Sequence, residues 1–532
     1  MPDFSLSSLR NENINLAVVA AAATAAVAAT LTATAFYSFS ETKDPNLKNL
    51  KEIPEPKEKY PFIGHLISLG NRPGKQVTKW HNELGPIFKL RMGAQTWIMV
   101  SDPYLAHELF FTRGSLASSR PAHGYLRDIY SAGGCGLTFT VTSKKWHRSR
   151  SAAMALLAPK SVDPLGQDMI EEADKLTKSL LEDTAKHGSV SPSDGLYLVS
   201  YNVIMTVCFG LRTESSDDPD FRSMVHYIHQ HEIYGGVSGD VGSFLPILSL
   251  AAYISGTKKK QIDFVKKNRD EVFSKLMEKG INGDKDCFVK SLHEDKAKYG
   301  LEHQDILVLL SDIIVAGTDT TALTTTWLLA IIANRPDIQR KIQAEIDDFV
   351  AKNGRLPMYS DRESFPYLAA TQKEGLRLRP ITEFGVPHEA SEDIDLRGYH
   401  VPKNSILIGS MDAMHTNPLR YARPEEFIPE RFLSYPESMA TLASGSIKKR
   451  DQYNFGWGRR LCPGIYMASS YVAETEMFYN MTRIFHRCNM EPPLDVDGKP
   501  IIVDIDAFID HGITSSPVPY KMRFVPRSEA LF

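Results

Sequence analysis

The amino-acid sequence predicts a mainly α fold with small β-sheets, an α+β chain, on three observations. Apolar residues recur at helical spacing over about 165–185, 260–278 and 336–352, each run with a polar opposite face. A longer and almost uniformly apolar run, about 305–333, stops before Pro336, as a buried helix does. Strand patterns are short: residues 88–92 and 96–100 read as strands, and Gly93, Ala94 and Gln95 between them as a hairpin turn.

Taken from the N-terminus, residues 1–12 form a short lumenal segment and residues 13–40 carry no charged side chain. That stretch of Ala, Val, Leu and Thr is long enough to cross a bilayer as a helix. Arg10 precedes it and Lys43, Lys48 and Lys51 follow, which places the following domain in the cytoplasm. A cleaved signal is the competing reading, since Ala33, Thr34 and Ala35 suit a peptidase, but the basic region it needs is thin. Asp3 and Glu12 argue against a mitochondrial presequence. Residues 41–64, with Pro54, Pro56 and Pro61, read as a stiff extended linker. A chain of 532 residues suggests two or three domains, yet residues 65–532 show no convincing linker and read as one.

One stretch carries more chemical information than the rest. Phe455, Gly458, Arg460, Cys462 and Gly464 stand in the pattern F-x-x-G-x-R-x-C-x-G. A thiolate that binds haem iron needs hydrogen-bond donors around the sulfur and shielding from water. Gly458 and Gly464 lack a Cβ, so backbone N–H groups can turn to the sulfur and a macrocycle can approach the loop. Phe455 can cover the proximal side, Pro463 suits the first position of a helix, and Arg460 can pair a propionate. An isolated cysteine would be ordinary packing; the full pattern sets Cys462 apart.

That pattern resembles the haem-binding signature of the cytochrome P450 superfamily of haem-thiolate monooxygenases, and the resemblance extends over nearly the whole chain after residue 50. It implies the cytochrome P450 fold, haem b (iron protoporphyrin IX) with Cys462 as axial iron ligand, and O2 as co-substrate. Glu374 and Arg377 look like the family's E-x-x-R, and Arg431 lies in its P-E-R-F segment; together they imply a buried triad bracing the haem side. Trp146 and Arg150 resemble its W-x-x-x-R helix, a propionate-binding pair, and His388 stands where many relatives carry Arg. His388 keeps a donor there but makes its charge depend on pH.

Within the long apolar run, residues 316–321 are similar to the family's A-G-x-D-T-T motif. Thr320 can return its hydroxyl to the carbonyl four residues back, and Gly317 weakens the helical ladder, so a local opening is expected there. By resemblance, Thr320 would hydrogen-bond dioxygen and Asp319 would relay protons from solvent. The plainer alternative is a buried Thr-rich helix, since Thr324, Thr325 and Thr326 follow.

The remaining features place the protein in a cell rather than define its chemistry. Five cysteines without a pairing motif fit reduced thiols facing the cytosol, and a net charge of −3 gives no hint of nucleic acid. His226, His229 and His231 lack a carboxylate or cysteine to complete a metal set and read as a partly exposed helix end. The glycines at 235, 236 and 239 read as a loop, not a nucleotide site. No appended flavin domain fits, so electrons come from a separate NADPH-cytochrome P450 reductase, with cytochrome b5 as a further donor. Lys144, Lys145 and Arg148, and Lys448, Lys449 and Arg450, are candidates for docking it, against the alternative of a solvated basic face. The layout looks like microsomal members from filamentous fungi, implying an endoplasmic reticulum membrane location and a lipophilic substrate: a steroid or sterol, a secondary metabolite or a xenobiotic. Family position puts the substrate among segments 120–138, 224–250, 313–320, 381–386 and 511–515, with Glu383 and His511 available to polar groups and residues 244–248 to the bilayer. A haem-thiolate isomerase or dehydratase and a non-catalytic haem sensor are the alternatives; neither needs Asp319 and Thr320 together with a reductase.

Overall fold

The computed structural model describes residues 50–156, 165–465 and 472–527, so the expected lumenal segment and membrane anchor lie outside the described residues. The helix His303–Ala333 runs through the core, buried along most of its length. Its first turn is closed by a capping box: Asp305 accepts the Glu302 N–H at 3.1 Å while the Glu302 side chain takes an N–H in return. Pro336 opens the next helix, Pro336–Asn353, at the position where a missing N–H is harmless. Among the described residues His303–Ala333 is the one helix apolar and long enough to cross a membrane, and its burial makes it a core helix instead.

The expected opening at Gly317 is not there: helical geometry is continuous through the whole span. Gly317 serves packing. A Cβ at this position would lie 2.6 Å from Ile204 Cγ1 of the helix Ser193–Phe209, so only glycine lets the two helices meet this closely.

The predicted helices at 165–185 and 336–352 appear as Leu165–His187 and Pro336–Asn353. The one expected at 260–278 is three pieces in line, Thr257–Val265, a π-turn Lys266–Asp270, and Glu271–Asn282. The extra residue of the π-turn rotates Arg269 inward, where it is 1% exposed and donates to the Tyr130 carbonyl.

The hairpin pairs Ile87–Met92 with Gln95–Val100, and Met92 faces Gln95, so the turn holds two residues rather than three. Gly93 takes φ +61° in it. Two distant strands complete the sheet: Ile406–Gly409 runs parallel to Gln95–Val100, and His388–Glu389 pairs antiparallel at its edge. That edge fixes the position of His388. Smaller two-stranded sheets pair Cys488–Glu491 with Arg523–Pro526, and Phe508–Asp510 with Ser515–Pro517.

Phe244 does not face the bilayer as expected. It is 2% exposed, packs its ring 6.0 Å from Trp97, and its carbonyl accepts the Ala94 N–H at 2.8 Å. The apolar surface lies just beyond it, on the helix Pro246–Ile254, which buries no residue and exposes Leu248, Leu250, Tyr253 and Ile254. The three histidines sit on Pro219–Gly235; His231 is fully buried, against the expectation of an exposed helix end, and no metal-binding group forms among the described residues. The glycines after it are a close crossing: a Cβ on Gly236 would lie 2.8 Å from Gly512 Cα.

Candidate functional site

The loop before Cys462 is held by its own backbone. The N–H groups of Arg460, Leu461 and Cys462 donate to Trp457, Gly458 and Phe455 at 3.2, 3.1 and 2.9 Å. Gly456 and Gly458 have φ of +73° and +54°, and a Cβ on Gly458 would lie 2.2 Å from the Phe110 carbonyl oxygen. Gly464 lies against the sulfur, its would-be Cβ 3.6 Å from Cys462 Sγ. Phe455 is half-buried against Ala440, Ala443 and Leu461, and Pro463 opens a short 3-10 turn. Cys462 is half-buried, whereas the other four cysteines are buried thiols.

Arg450 braces this loop and is not a surface cation. It is 3% exposed, lies 4.1 Å over the Trp457 ring and donates to the Gly456 carbonyl at 2.6 Å. Trp457 stacks on Tyr453, and Tyr453 on His415, whose Nε2 accepts the Tyr453 N–H at 3.0 Å. Burial and nearby arginines hold His415 neutral, which keeps that nitrogen an acceptor.

A second brace comes from the helix Pro366–Leu378. Arg377 forks onto Glu374 at 2.7 and 2.8 Å, Arg431 joins at 3.0 Å and the Ile428 N–H at 2.9 Å, with Glu374 and Arg377 completely buried. The remaining Arg377 donors go to the carbonyls of His415, Pro424 and Glu426. This is a buried network and not a solvated i, i+3 pair. Asn454, next to Phe455, ties it to the cysteine loop by donating to Leu376 O at 2.9 Å.

Beside the loop lies a buried cationic cluster. Arg460 sits 4.2 Å and Arg150 5.5 Å over Trp146, and Arg150 donates to Leu461 O at 3.0 Å. Arg460 gives its protons to the carbonyls of Ser118, Leu137 and Thr140. The Trp146 indole N–H also goes to Leu137 O, at 3.0 Å. Arg120, expected only at the start of a pocket segment, joins from the side and donates to the Thr138, Val386 and Pro387 carbonyls. Among the described residues neither Arg120 nor Arg460 meets a carboxylate. Burial and mutual repulsion pull Arg460 down to about 9 and Arg120 well below the usual arginine range.

His388 lies in the same cluster but is not a pH-dependent donor. Burial, with Arg120 and Arg460 facing it, drives its pKa well below the ordinary histidine value. Its Nδ1–H goes to Ala117 O at 2.7 Å, which leaves Nε2 as an acceptor.

The peptide of Leu137 connects this cluster to the long helix. Its carbonyl serves Arg460 and Trp146; its N–H, with that of Thr138, donates to Asp312 Oδ2 at 2.6 and 3.0 Å. Immediately after Asp312 the helix turns an open strip to the interior. Ile313, Ala316, Gly317 and Thr320, spaced i, i+3, i+4 and i+7, are wholly or partly exposed, with Val315 partly exposed beside them, while residues 305–312 and 321–333 of the helix are buried. Thr320 returns its hydroxyl to the Ala316 carbonyl at 2.7 Å, as its position predicted.

Asp319 points away from that strip and is 1% exposed. It accepts from Tyr197 at 2.5 Å and from Thr514 at 3.1 Å, and the Thr514 hydroxyl also reaches Glu232 at 2.6 Å. Neither Tyr197, Glu232 nor Thr514 was marked by motif or spacing. His511 stacks on His229 at 5.1 Å, and Glu383 accepts the Gly74 N–H at 2.8 Å in the first turn of the helix Pro73–Leu84. Of the two basic groups, Lys145 pairs with Asp305 at 2.8 Å; Lys144, Arg148, Lys448 and Lys449 remain exposed.

The comparisons with known proteins bear on the whole of this arrangement. The cytochrome P450 family model matches residues 54–524. The chain belongs to the cytochrome P450 family. A cytochrome P450 monooxygenase of Armillaria gallica is 30% identical over 484 residues, covering 88% of each chain. Cytochrome P450 monooxygenase 58 of Postia placenta is 26% identical over 475 residues, 88% of this chain and 87% of that one. The steroid 17-alpha-hydroxylase/17,20 lyase of Mesocricetus auratus is 27% identical over 484 residues, 87% of this chain and 90% of that one. A zebra fish cytochrome P450 solved with progesterone shares the fold, with a TM-score of 0.70 at 24% identity over 86% of this chain and 99% of that one. The protein is a P450 monooxygenase, of a family that works with haem, O2 and electrons from a reductase.

The residues present fit haem. It brings two carboxylates, and this P450 buries guanidiniums of Arg120 and Arg460 that meet no carboxylate among the described residues. It brings an iron that takes a thiolate, and a half-buried cysteine stands beside the same cluster.

Proposed function

We propose that this P450 inserts one atom of O2 into a lipophilic small molecule: RH + O2 + two electrons + two protons give ROH + water. Haem b supplies the oxygen chemistry, and the protein supplies ligand, charge, protons and a shaped cavity. Cys462 would supply the thiolate that holds the haem iron, in a loop kept tight by Gly458, covered by Phe455 and braced by Arg450. Arg120, Arg150 and Arg460, with Trp146 as platform, neutralise the two propionates; an anion there restores the arginine pKa values that burial lowers. His388 accepts or positions and carries no charge. Asp319 holds a proton next to Thr320, and Thr320 presents its hydroxyl on the open strip of the long helix.

The observation that carries this reading is the meeting of three things around one peptide. The Leu137 unit joins the oxygen-side helix through Asp312, and the cationic cluster through Arg460, two residues before Cys462. For the substrate, the support is the relative named as a steroid 17-alpha-hydroxylase and the fold neighbour solved with progesterone. We place a steroid or sterol first, with secondary metabolites and xenobiotics behind it. The uncharged residues 13–40 and the exposed apolar helix Pro246–Ile254 support anchoring to the endoplasmic reticulum membrane with the catalytic domain in the cytoplasm. NADPH-cytochrome P450 reductase, assisted by cytochrome b5, docks against Lys144, Arg148, Lys448 and Lys449.

The test is turnover of a steroid and lipophile panel with a microsomal reductase, NADPH and O2, beside Cys462→Ser. Wild type gives an oxygenated product and a thiolate-type CO spectrum; the variant gives neither. A normal thiolate-type spectrum in Cys462→Ser overturns the ligand assignment.

A further inference from the structure

Asp319 does not stand alone in its buried site. The helix Pro219–Gly235 carries Glu232 to the same point, and the hairpin of Phe508–Asp510 and Ser515–Pro517 brings Thr514 between the two acids. Glu232 is 3% and Asp319 1% exposed, and among the described residues neither pairs with a lysine or an arginine. The Thr514 hydroxyl has one hydrogen but lies 2.6 Å from Glu232 Oε2 and 3.1 Å from Asp319 Oδ2. It can donate to one carboxyl only, so the other contact is attractive only when that second carboxyl carries a proton and donates. Two carboxylates this close in a dry site cannot both be ionised, and the pair titrates as a unit. Burial raises the pKa of both.

The other oxygen of Asp319 points along a path to water. Tyr197 donates to Asp319 Oδ1 at 2.5 Å, and its oxygen lies 3.1 Å from His229 Nε2. With the proton on Nε2, His229 donates to Tyr197 and Tyr197 to Asp319, a chain with one direction. The His229 side chain is 33% exposed and stacks on His511 at 5.1 Å, and His511 is hydrogen-bonded to Ser516 at 2.9 Å. The charged or titratable groups facing this set are Asp510 and His511 on the hairpin, His226 on the Glu232 helix, and Asp194 near Tyr197.

We propose that Glu232 and Asp319 share one exchangeable proton through Thr514, and that His229 and Tyr197 refill the pair from solvent, which makes Glu232 the proton store for Asp319. This rests on the reading of Asp319 as the proton donor to the oxygen side. The balance is simple: the Asp319 carboxyl turns from Thr514 to the Thr320 face and gives up its proton there, turns back and takes one from Glu232 through Thr514, and His229 and Tyr197 return one from water. Three helices and a hairpin thus contribute to one relay, and Glu232 acts through Asp319 as a positioning and storage residue.

The test compares wild type with Glu232→Gln, Thr514→Val and Tyr197→Phe, each checked by its CO spectrum for an intact site. The first readout is the infrared carbonyl stretch of a protonated carboxylic acid in the resting protein across pH. The second is product formed per hydrogen peroxide released during turnover. Glu476 contributes a protonated-acid band of its own at neutral pH, so the readout is the wild-type minus Glu232→Gln difference spectrum, in which we expect one further protonated-acid band that Thr514→Val shifts. We expect the product-to-peroxide ratio to fall about tenfold in Glu232→Gln, modest beside the 10²–10⁴-fold of a positioned proton transfer, and to lose its dependence on pH. Tyr197→Phe keeps the band but raises the solvent isotope effect on product formation. Should Glu232→Gln lose the CO spectrum, Thr514→Val, which leaves both acids in place, carries the comparison. A flat difference spectrum and a pH profile unchanged in Glu232→Gln overturn the proposal. So does a variant in which only substrate affinity moves, which makes Glu232 a substrate contact. Because the band is read without turnover, it stands or falls apart from the monooxygenase reading, which fails on absence of product in wild type.

Discussion

Asp312 is the pin between the long helix and the loop that carries Leu137, and removing it should release that loop. Its Oδ2 accepts two backbone N–H groups, Leu137 at 2.6 Å and Thr138 at 3.0 Å, while Oδ1 accepts from Tyr130 at 2.8 Å. In Asp312→Ala both amides lose their partner in a site that is 5% exposed in the wild type. An orphaned buried donor costs about 1–3 kcal/mol, so the pair costs roughly 2–6 kcal/mol. Tyr130 escapes, since its hydroxyl keeps Ser311 at 3.2 Å. Asp312→Asn is the control. Its carbonyl oxygen still serves both amides and Tyr130 can turn to accept from the new amide nitrogen, so the loss is about 2 kcal/mol or less. Against a total stability of about 5–15 kcal/mol the two variants separate clearly in urea denaturation of the haem-loaded protein. Local exchange reads the mechanism directly: the Leu137 and Thr138 amides exchange about a hundredfold faster in the alanine variant than in the asparagine one. Equal stability of the two variants, with both amides as protected as in wild type, would refute the reasoning.

Two further outcomes follow from buried charge. Glu476 is wholly buried, accepts from Ser200 at 2.5 Å and has its pKa pushed up to about 8 by burial, so it binds a proton in the folded state that the unfolded chain releases near 4.5. Its contribution to stability is therefore complete below about pH 4.5 and lost as pH rises to about 8, up to roughly 5 kcal/mol, and Glu476→Gln should flatten that slope in denaturation series across pH. An unchanged slope in the variant assigns the pH dependence elsewhere. Glu374→Gln strips the counter-charge from the buried Arg377 and from Arg431, and should lower stability by about 3–5 kcal/mol, read as a fall in the urea midpoint and in haem-loaded yield. A midpoint equal to wild type would show that the three carbonyls on Arg377 suffice.

Features written in local periodicity are legible in the sequence. The long helix and the hairpin follow from spacing along short stretches, whereas the cysteine loop and the buried joining of Glu374, Arg377 and Arg431 come from the family resemblance, since spacing alone reads Glu374 and Arg377 as a solvated pair. Burial of individual cations is not legible there. Lys145 and Arg450 read as surface charge because their partners, Asp305 and Trp457, come from the fold and not from the neighbouring residues. Arg269 on an apolar helix face was a faint signal for the π-turn that buries it. Phe244 read as exposed because the hairpin that covers it lies about 150 residues earlier. The partners of Asp319 were the least legible: Tyr197, Glu232 and Thr514 lie 122, 87 and 195 residues away in sequence, and each is an ordinary residue until the fold gathers them.

The glycines around Leu137 divide its loop into two kinds of ground for change. A side chain at Gly133 or Gly134 would meet nothing within 4 Å, whereas one at Gly136 would lie 2.6 Å from Val308 Cγ1 and 2.7 Å from Asp312 Oδ2. Change is therefore channelled into the first arc of the loop, where insertions and bulkier residues are cheap apart from their backbone strain. The second arc is closed to that drift, because the Leu137 peptide there holds the long helix through Asp312 and also anchors Arg460, two residues before Cys462. In a lineage descending from this chain, the outer arc at residues 133–134 can change without disturbing Asp312 and Arg460, whereas any change at 136–138 moves both.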